Sequence, residues 1–189
     1  MTKDRDSFDK TLRHMAENLN GAYEAVHPVG HPRAGKRCTC SGTAIIACCY
    51  INGLGKVLWK GQEPKQRKGS PFVRRDFLRF QKFLQVCMSD FLSQSVAMTL
   101  APLPDGSTSG DEWLYQVYRC GFVHGLPKTG FRWGWNRYSN KYWFKKNGQH
   151  GLNIDELVRG FHRGVATFRL EAVKDPDLRR KFMDYLMAK

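Results

Sequence analysis

Apolar residues recur along much of the chain at intervals of three and four, the spacing that places them on one face of an α-helix. In the first such stretch Phe8, Leu12, Met15, Leu19, Ala22, Tyr23 and Val26 line up, predicting an amphipathic helix over about 7–26. His27-Pro28 ends it, because proline disfavours helical geometry in the residue before it. A Pro-, Gly- and His-rich loop is expected to residue 37. The second stretch, about 41–59, is apolar on nearly every side (AIIACCYINGLGKVLW) and belongs at the centre of a bundle. Gly53 and Gly55 loosen its second half or let another backbone approach closely.

After a basic connector (GQEPKQRKGSP), a third helix is predicted over about 71–93. It has Ser70 as cap, Pro71 at the first turn, and Phe72, Phe77, Phe80, Phe83, Leu84, Cys87, Phe91 and Leu92 on its apolar side. A turn-rich break (APLPDGSTSG) separates it from a fourth helix. That helix begins near Gly110-Asp111, carries Trp113, Leu114, Val117, Tyr118, Phe122 and Val123, and ends at Gly125.

From 129 to 151 the period changes. Phe131, Trp133 and Trp135 alternate with Arg132 and Gly134, and Tyr142, Trp143 and Phe144 follow Ser139-Asn140, which reads as an aromatic β-hairpin between helices. Two more helices are expected, over 154–173 capped by Asn153 and over 176–187 capped by Asp175. The predicted architecture is one all-α bundle spanning 1–189, with a short hairpin insertion after the fourth helix.

Composition narrows what such a bundle does. Hydrophobic residues make up 41% of the 189 positions, enough for a packed core and against wholesale disorder. The formal charge of +14 points to a polyanionic partner, since neutralising phosphates releases counterions. No apolar run of the ~18 residues needed for a membrane span is present, and the charged N-terminal stretch lacks the core of a signal peptide. A cytoplasmic location is therefore expected, with no membrane partner. Cys48, Cys49, Cys87 and Cys120 fall in apolar helical patterns and read as small hydrophobes. Cys38 and Cys40 sit together, but no second ligand pair stands at zinc-site spacing, so neither metal nor other cofactor is expected. His14, His27, His31, His150 and His162 show no ligand spacing and read as surface or structural residues.

The densest chemistry lies in WLYQVYRCGFVHG, where Arg119 is followed after four residues by His124 near a helix end. This resembles the R-x4-6-H signature of the HEPN superfamily. The apolar second helix, the Phe-rich third helix and the hairpin after the motif are HEPN-like in layout. The resemblance implies a metal-independent endoribonuclease of the toxin or antiviral-defence kind. Two protomers would build its site across a two-fold interface, and an antitoxin or other regulator would restrain it in trans. The alternative is a non-catalytic RNA- or nucleotide-binding module that works with a partner. A third reading is a dimerisation module whose charge is incidental.

The implied chemistry makes physical sense. Cleaving RNA through its own 2′-hydroxyl needs a proton carrier at neutral pH, for which histidine is suited. It also needs fixed positive charge where the phosphorane's negative charge develops, which a guanidinium supplies. Residues five apart stand about 140° apart around a helix and about 7.5 Å along it, so one ideal helix does not focus both on one phosphate. Relaxed winding near Gly121 and Gly125, a long arginine reach or a second protomer would bring them together, and the resemblance favours the second protomer. The residue after the arginine, often polar in active members, is here Cys120. In the purely structural reading, Arg119 pairs with a buried acid and His124 caps the helix C-terminus.

Two features support the RNA reading. The segment FRWGWNRYSNKYWFKK interleaves Arg132, Arg137, Lys141, Lys145 and Lys146 with aromatics that include Trp133 and Trp135, and it contains no acid. Cations hold phosphates while aromatic faces stack unpaired bases. The competing reading packs those aromatics on the bundle. Asn52, a polar residue in the apolar second helix, needs a partner; it either orients Arg119 or bonds locally within its helix.

Overall fold

The computed structural model describes residues 2–24, 38–59, 74–97, 109–115, 132–134, 139–146 and 149–187. Its helices are α1 (Thr2–Glu24), α2 (Cys38–Leu58), α3 (Arg74–Cys87), α4 (Ser89–Val96), α5 (Gly110–Leu114), α6 (Ile154–Lys174) and α7 (Pro176–Met187). Three short strands lie between α5 and α6: β1 (Arg132–Gly134), β2 (Trp143–Lys146) and β3 (Gln149–Asn153). The described chain is thus mostly helical, as the periodicity requires. The loops expected over 27–37 and 61–71 lie outside the described residues, as do residues 101–108 of the break expected over 101–110. Among the described residues, no helix is long and apolar enough to cross a membrane.

The all-round apolar character of α2 has the expected consequence. It packs against α1, α3, α6 and α7, and Ala44, Ala47, Cys48, Ile51 and Leu54 are buried. Gly55 meets the backbone of α3 at Arg79, where a β-carbon would collide with the carbonyl group. This is the close backbone approach that the glycine made possible. The opposite side of the core is aromatic. Phe8 of α1, Phe168 of α6 and Phe182 of α7 meet with ring centroids 5.1–6.2 Å apart, within the range of favourable ring pairs.

Four expectations change. The helix predicted over 71–93 divides at Met88, whose backbone (φ −138°, ψ 49°) leaves helical geometry. Periodicity does not register the break, because hydrogen bonds from Met88 N to Leu84 O and from Leu92 N to Met88 O, both 3.0 Å, carry the ladder across it. Met88 and Phe91 are both buried around the bend.

The hairpin pairs differently from the prediction. The segments carrying Trp133 and Trp143 do not pair with each other. Instead β2 pairs antiparallel with β3 (Trp143↔Leu152, Lys146↔Gln149), and β1 pairs parallel with β3 (Arg132↔Gly151). The central strand, QHGLN, carries almost no alternating apolar signal; backbone pairing on both sides makes it a strand.

The third change concerns Cys49, which is exposed rather than buried in the core, whereas Cys48 and Cys87 are buried. Burial, and then the nearby charge of Glu171, push the Cys87 thiol up to about 12, which leaves it protonated and inert.

The predicted caps fare unequally. Asp175 Oδ1 accepts from the amides of Asp177 (3.1 Å) and Leu178 (3.2 Å) and so starts α7. Asn153 stands at the N-cap of α6 but makes no capping bond with its side chain. Its Nδ2 donates to the Lys141 carbonyl at 3.1 Å, tying β3 to the residues that precede β2.

Candidate functional site

The sequence-predicted site residues fall into three groups. Arg119, Cys120, His124, Trp135 and Arg137 lie outside the described residues. Arg132 and Trp133 fall on β1 and Lys146 on β2 by backbone position, while Lys141 and Lys145 are exposed before and on β2. Asn52 sits half-buried on α2, and its buried Oδ1 has no hydrogen-bond partner among the described residues, which is an energetic cost for an amide oxygen.

The chain that leads towards Arg119 is firmly anchored. Tyr115 is buried between Phe77 and Phe80 of α3, at centroid distances of 5.5 and 5.4 Å. At the start of α5, Asp111 is fully buried and its Oδ2 accepts from Gln81 Nε2 at 2.8 Å. Packing and the Gln81–Asp111 hydrogen bond thus hold α5 to α3, just ahead of the arginine in sequence.

The segment 139–146 is equally well held. The Tyr142 amide donates to Gln94 Oε1 at 2.9 Å, and Trp143 Nε1 donates to Ser95 Oγ at 2.9 Å, both on α4. The Tyr142 ring lies against Phe91 (4.8 Å between centroids) and against Gly160 of α6, where a β-carbon would strike the ring. These contacts bury Tyr142 and Trp143 and leave Lys141 and Lys145 in solvent. Of the two readings of the aromatic segment, packing on the bundle therefore holds for Tyr142 and Trp143. The cations that flank them, at 141 and 145, stay within reach of a polyanion.

Where this segment meets α4 and α6, the structure assembles a charged cluster that residue spacing alone does not reveal. Glu156, only 3% exposed at its side chain, receives Arg163 Nη2 on Oε1 at 2.6 Å and Arg159 Nη2 on Oε2 at 2.7 Å. Arg163 Nη2 also reaches Asp90 Oδ2 (3.0 Å) and the Tyr142 hydroxyl (2.9 Å), and that hydroxyl donates to Asp90 Oδ2 at 2.9 Å. Arg159 Nη2 further donates to the Ser139 carbonyl at 2.8 Å.

The charges answer one another. Burial pushes the Asp90 carboxyl up, but hydrogen bonds from Tyr142, Arg163 and the Phe91 amide, with the Arg163 charge, outweigh it and hold the group below its ordinary range. Burial, and then the bond to Asp90, raise the Tyr142 phenol, so it remains a donor. The bond to Glu156 raises Arg163 further above its already high value.

One sequence signal for this cluster exists. Glu156, Arg159, Gly160 and Arg163 are spaced three, four and seven apart in NIDELVRGFHRG, which places them on one face of α6. Nothing in the sequence links that face to Asp90 or Tyr142, which are 66 and 14 positions away from Glu156.

Compared with known proteins, the chain matches no protein-family model, no curated protein and no solved structure.

Proposed function

We propose that this protein is a HEPN-like RNA-binding protein that cleaves RNA without a metal, at a site built from Arg119 and His124 of two protomers. The observation that carries the reading is the Arg119-x4-His124 spacing, which begins four residues after the buried Tyr115 in a mostly helical chain of formal charge +14. The exposed Lys141 and Lys145 add cations suited to holding an RNA backbone.

In the proposed reaction the His124 imidazole takes the proton of a ribose 2′-hydroxyl as its oxygen attacks the adjacent phosphorus. The bond from phosphorus to the 5′-oxygen breaks and that oxygen takes up a proton from water, leaving a 2′,3′-cyclic phosphate and a 5′-hydroxyl. Arg119 holds the charge that gathers on the non-bridging oxygens. Asn52, whose buried oxygen has no donor among the described residues, is proposed to position the guanidinium. Restraint by an antitoxin or other partner belongs to the same proposal, because an unregulated ribonuclease is harmful to its own cell.

The test is cleavage of RNA in EDTA by wild type, Arg119→Ala and His124→Ala. Both variants are expected to lose cleavage, with circular dichroism and melting temperature unchanged. Cleavage at the wild-type rate by both overturns the catalytic assignment. RNA binding without cleavage by the wild type selects the non-catalytic binding module instead.

A further inference from the structure

The cluster around Glu156 opens onto a groove of about 480 Å³, wide open to solvent and lined by Asp90, Gln94, Ser139, Asn140, Glu156, Arg159 and Arg163. A groove of this volume has room for one nucleobase lying against its wall. Its walls are rigidly set, since the buried Glu156 fixes both guanidinium groups and α4 fixes 139–142. Side-chain donors and acceptors remain unused there. Among the described residues, neither the exposed Asn140 amide nor Arg163 Nε and Nη1 has a hydrogen-bond partner.

The charge balance points to the kind of ligand. Two arginines and two acids cancel within the lining, so the groove itself does not select an anion. A neutral, planar group with donors and acceptors on its edge is the better match. A free side-chain amide pairs with such edges, and guanidinium planes stack on such faces. Anion attraction is supplied next door, by the exposed Lys141 adjoining Asn140 and by Lys145 on β2.

We infer that this groove is a pocket for one unpaired RNA nucleotide, with the base inside against Asn140 and Arg163 and its phosphate outside near Lys141. The inference rests on the reading of the chain as an RNA-binding protein and adds a contact separate from Arg119 and His124. The pocket favours single strands, because a base enters it only when unpaired.

The probes are the four nucleoside 5′-monophosphates, titrated into full-length protein and followed by NMR or calorimetry. At least one is expected to bind, and Asn140→Trp, which fills the mouth, is expected to weaken it about tenfold or more, the usual scale for one stacked base. Asn140→Ala, a truncation of an exposed residue, serves should the tryptophan variant misfold, and is expected to weaken binding in the same direction. His124→Ala is expected to bind nucleotide as wild type does.

Absence of binding by all four nucleotides overturns the pocket, and so does wild-type affinity in both Asn140 variants. If RNA is still cleaved by wild type in that case, only the pocket falls. Nucleotide binding that Asn140→Trp abolishes, in a protein that does not cleave RNA, upholds the pocket and removes the ribonuclease.

Discussion

Arg163 Nη2 lies 2.6 Å from Oε1 of Glu156, a carboxylate that the fold buries almost completely. Arg163 itself is about half exposed, and its second guanidinium neighbour, Arg159, grips the other carboxylate oxygen. The pair therefore joins a buried anion to solvent-facing cations, and through Asp90 and Tyr142 it ties α6 to α4 and to the start of β2. Replacing the carboxylate by an amide keeps the volume and removes the charge that orders both arginines. Glu156→Gln is expected to lower unfolding free energy by about 2 kcal/mol, less than for a fully buried pair because water screens the two guanidinium groups. Urea denaturation checks it; an unchanged midpoint would show that the cluster contributes nothing to stability.

His162 supplies a pH-dependent contribution. Its ring nitrogen lies 2.7 Å from Asn20 Oδ1 at the contact of α6 with α1, and burial lowers its pKa. The unfolded chain, with histidine near ~6.5, then binds a proton more readily than the folded chain. Stability is expected to rise with pH through the window between the lowered folded value and about 6.5, and to lose this slope above it. His162→Gln removes the contribution. Urea midpoints measured from pH 5 to 8 should show the difference in slope between wild type and variant.

Two glycines should respond oppositely to the same substitution. Gly55→Ala drives a methyl group into the Arg79 carbonyl, a backbone atom that cannot swing aside. A loss of about 1–3 kcal/mol is expected, the usual cost of overpacking a tight contact. Gly21 of α1 has open space where its β-carbon would stand. Gly21→Ala should therefore stabilise the protein by about 0.5–1 kcal/mol through helix propensity. Melting temperatures of the two variants, moving in opposite directions from wild type, are the check.

The cations of β2 should be felt as salt dependence. Lys145→Glu with Lys146→Glu is expected to weaken binding of single-stranded RNA. The slope of log K against log salt should fall by about one for each phosphate that the pair no longer neutralises. Fluorescence anisotropy at several salt concentrations measures both. An unchanged slope would assign these lysines to a merely solvated face.

Local and tertiary information divide cleanly here. The caps at Asn153 and Asp175 marked the starts of α6 and α7, and residues at intervals of three and four placed α1, because an amphipathic helix repeats its apolar face within a single turn. Asp175 was readable as a cap for the same reason: the amides it satisfies are two and three residues away. The all-round apolar α2 implied its own central position. The spacing of Arg119 and His124 is read from the sequence alone, and both residues lie outside the described structure.

Only the tertiary structure decided the rest. The bend at Met88 leaves neighbouring hydrogen bonds intact and so leaves no mark on the periodicity. Strand β3 exists because β1 and β2 pair with it from either side, and pairing partners are not encoded in its five residues. Asn153 turned from cap to tether because the Lys141 carbonyl came within reach of it. The cluster of Asp90, Tyr142, Glu156, Arg159 and Arg163 followed the same logic. The face of α6 was legible, but the acid and the phenol that complete it arrive from distant parts of the chain. Short-range order is written in the spacing of residues, while the meeting of distant charges waits for the core to bring them together.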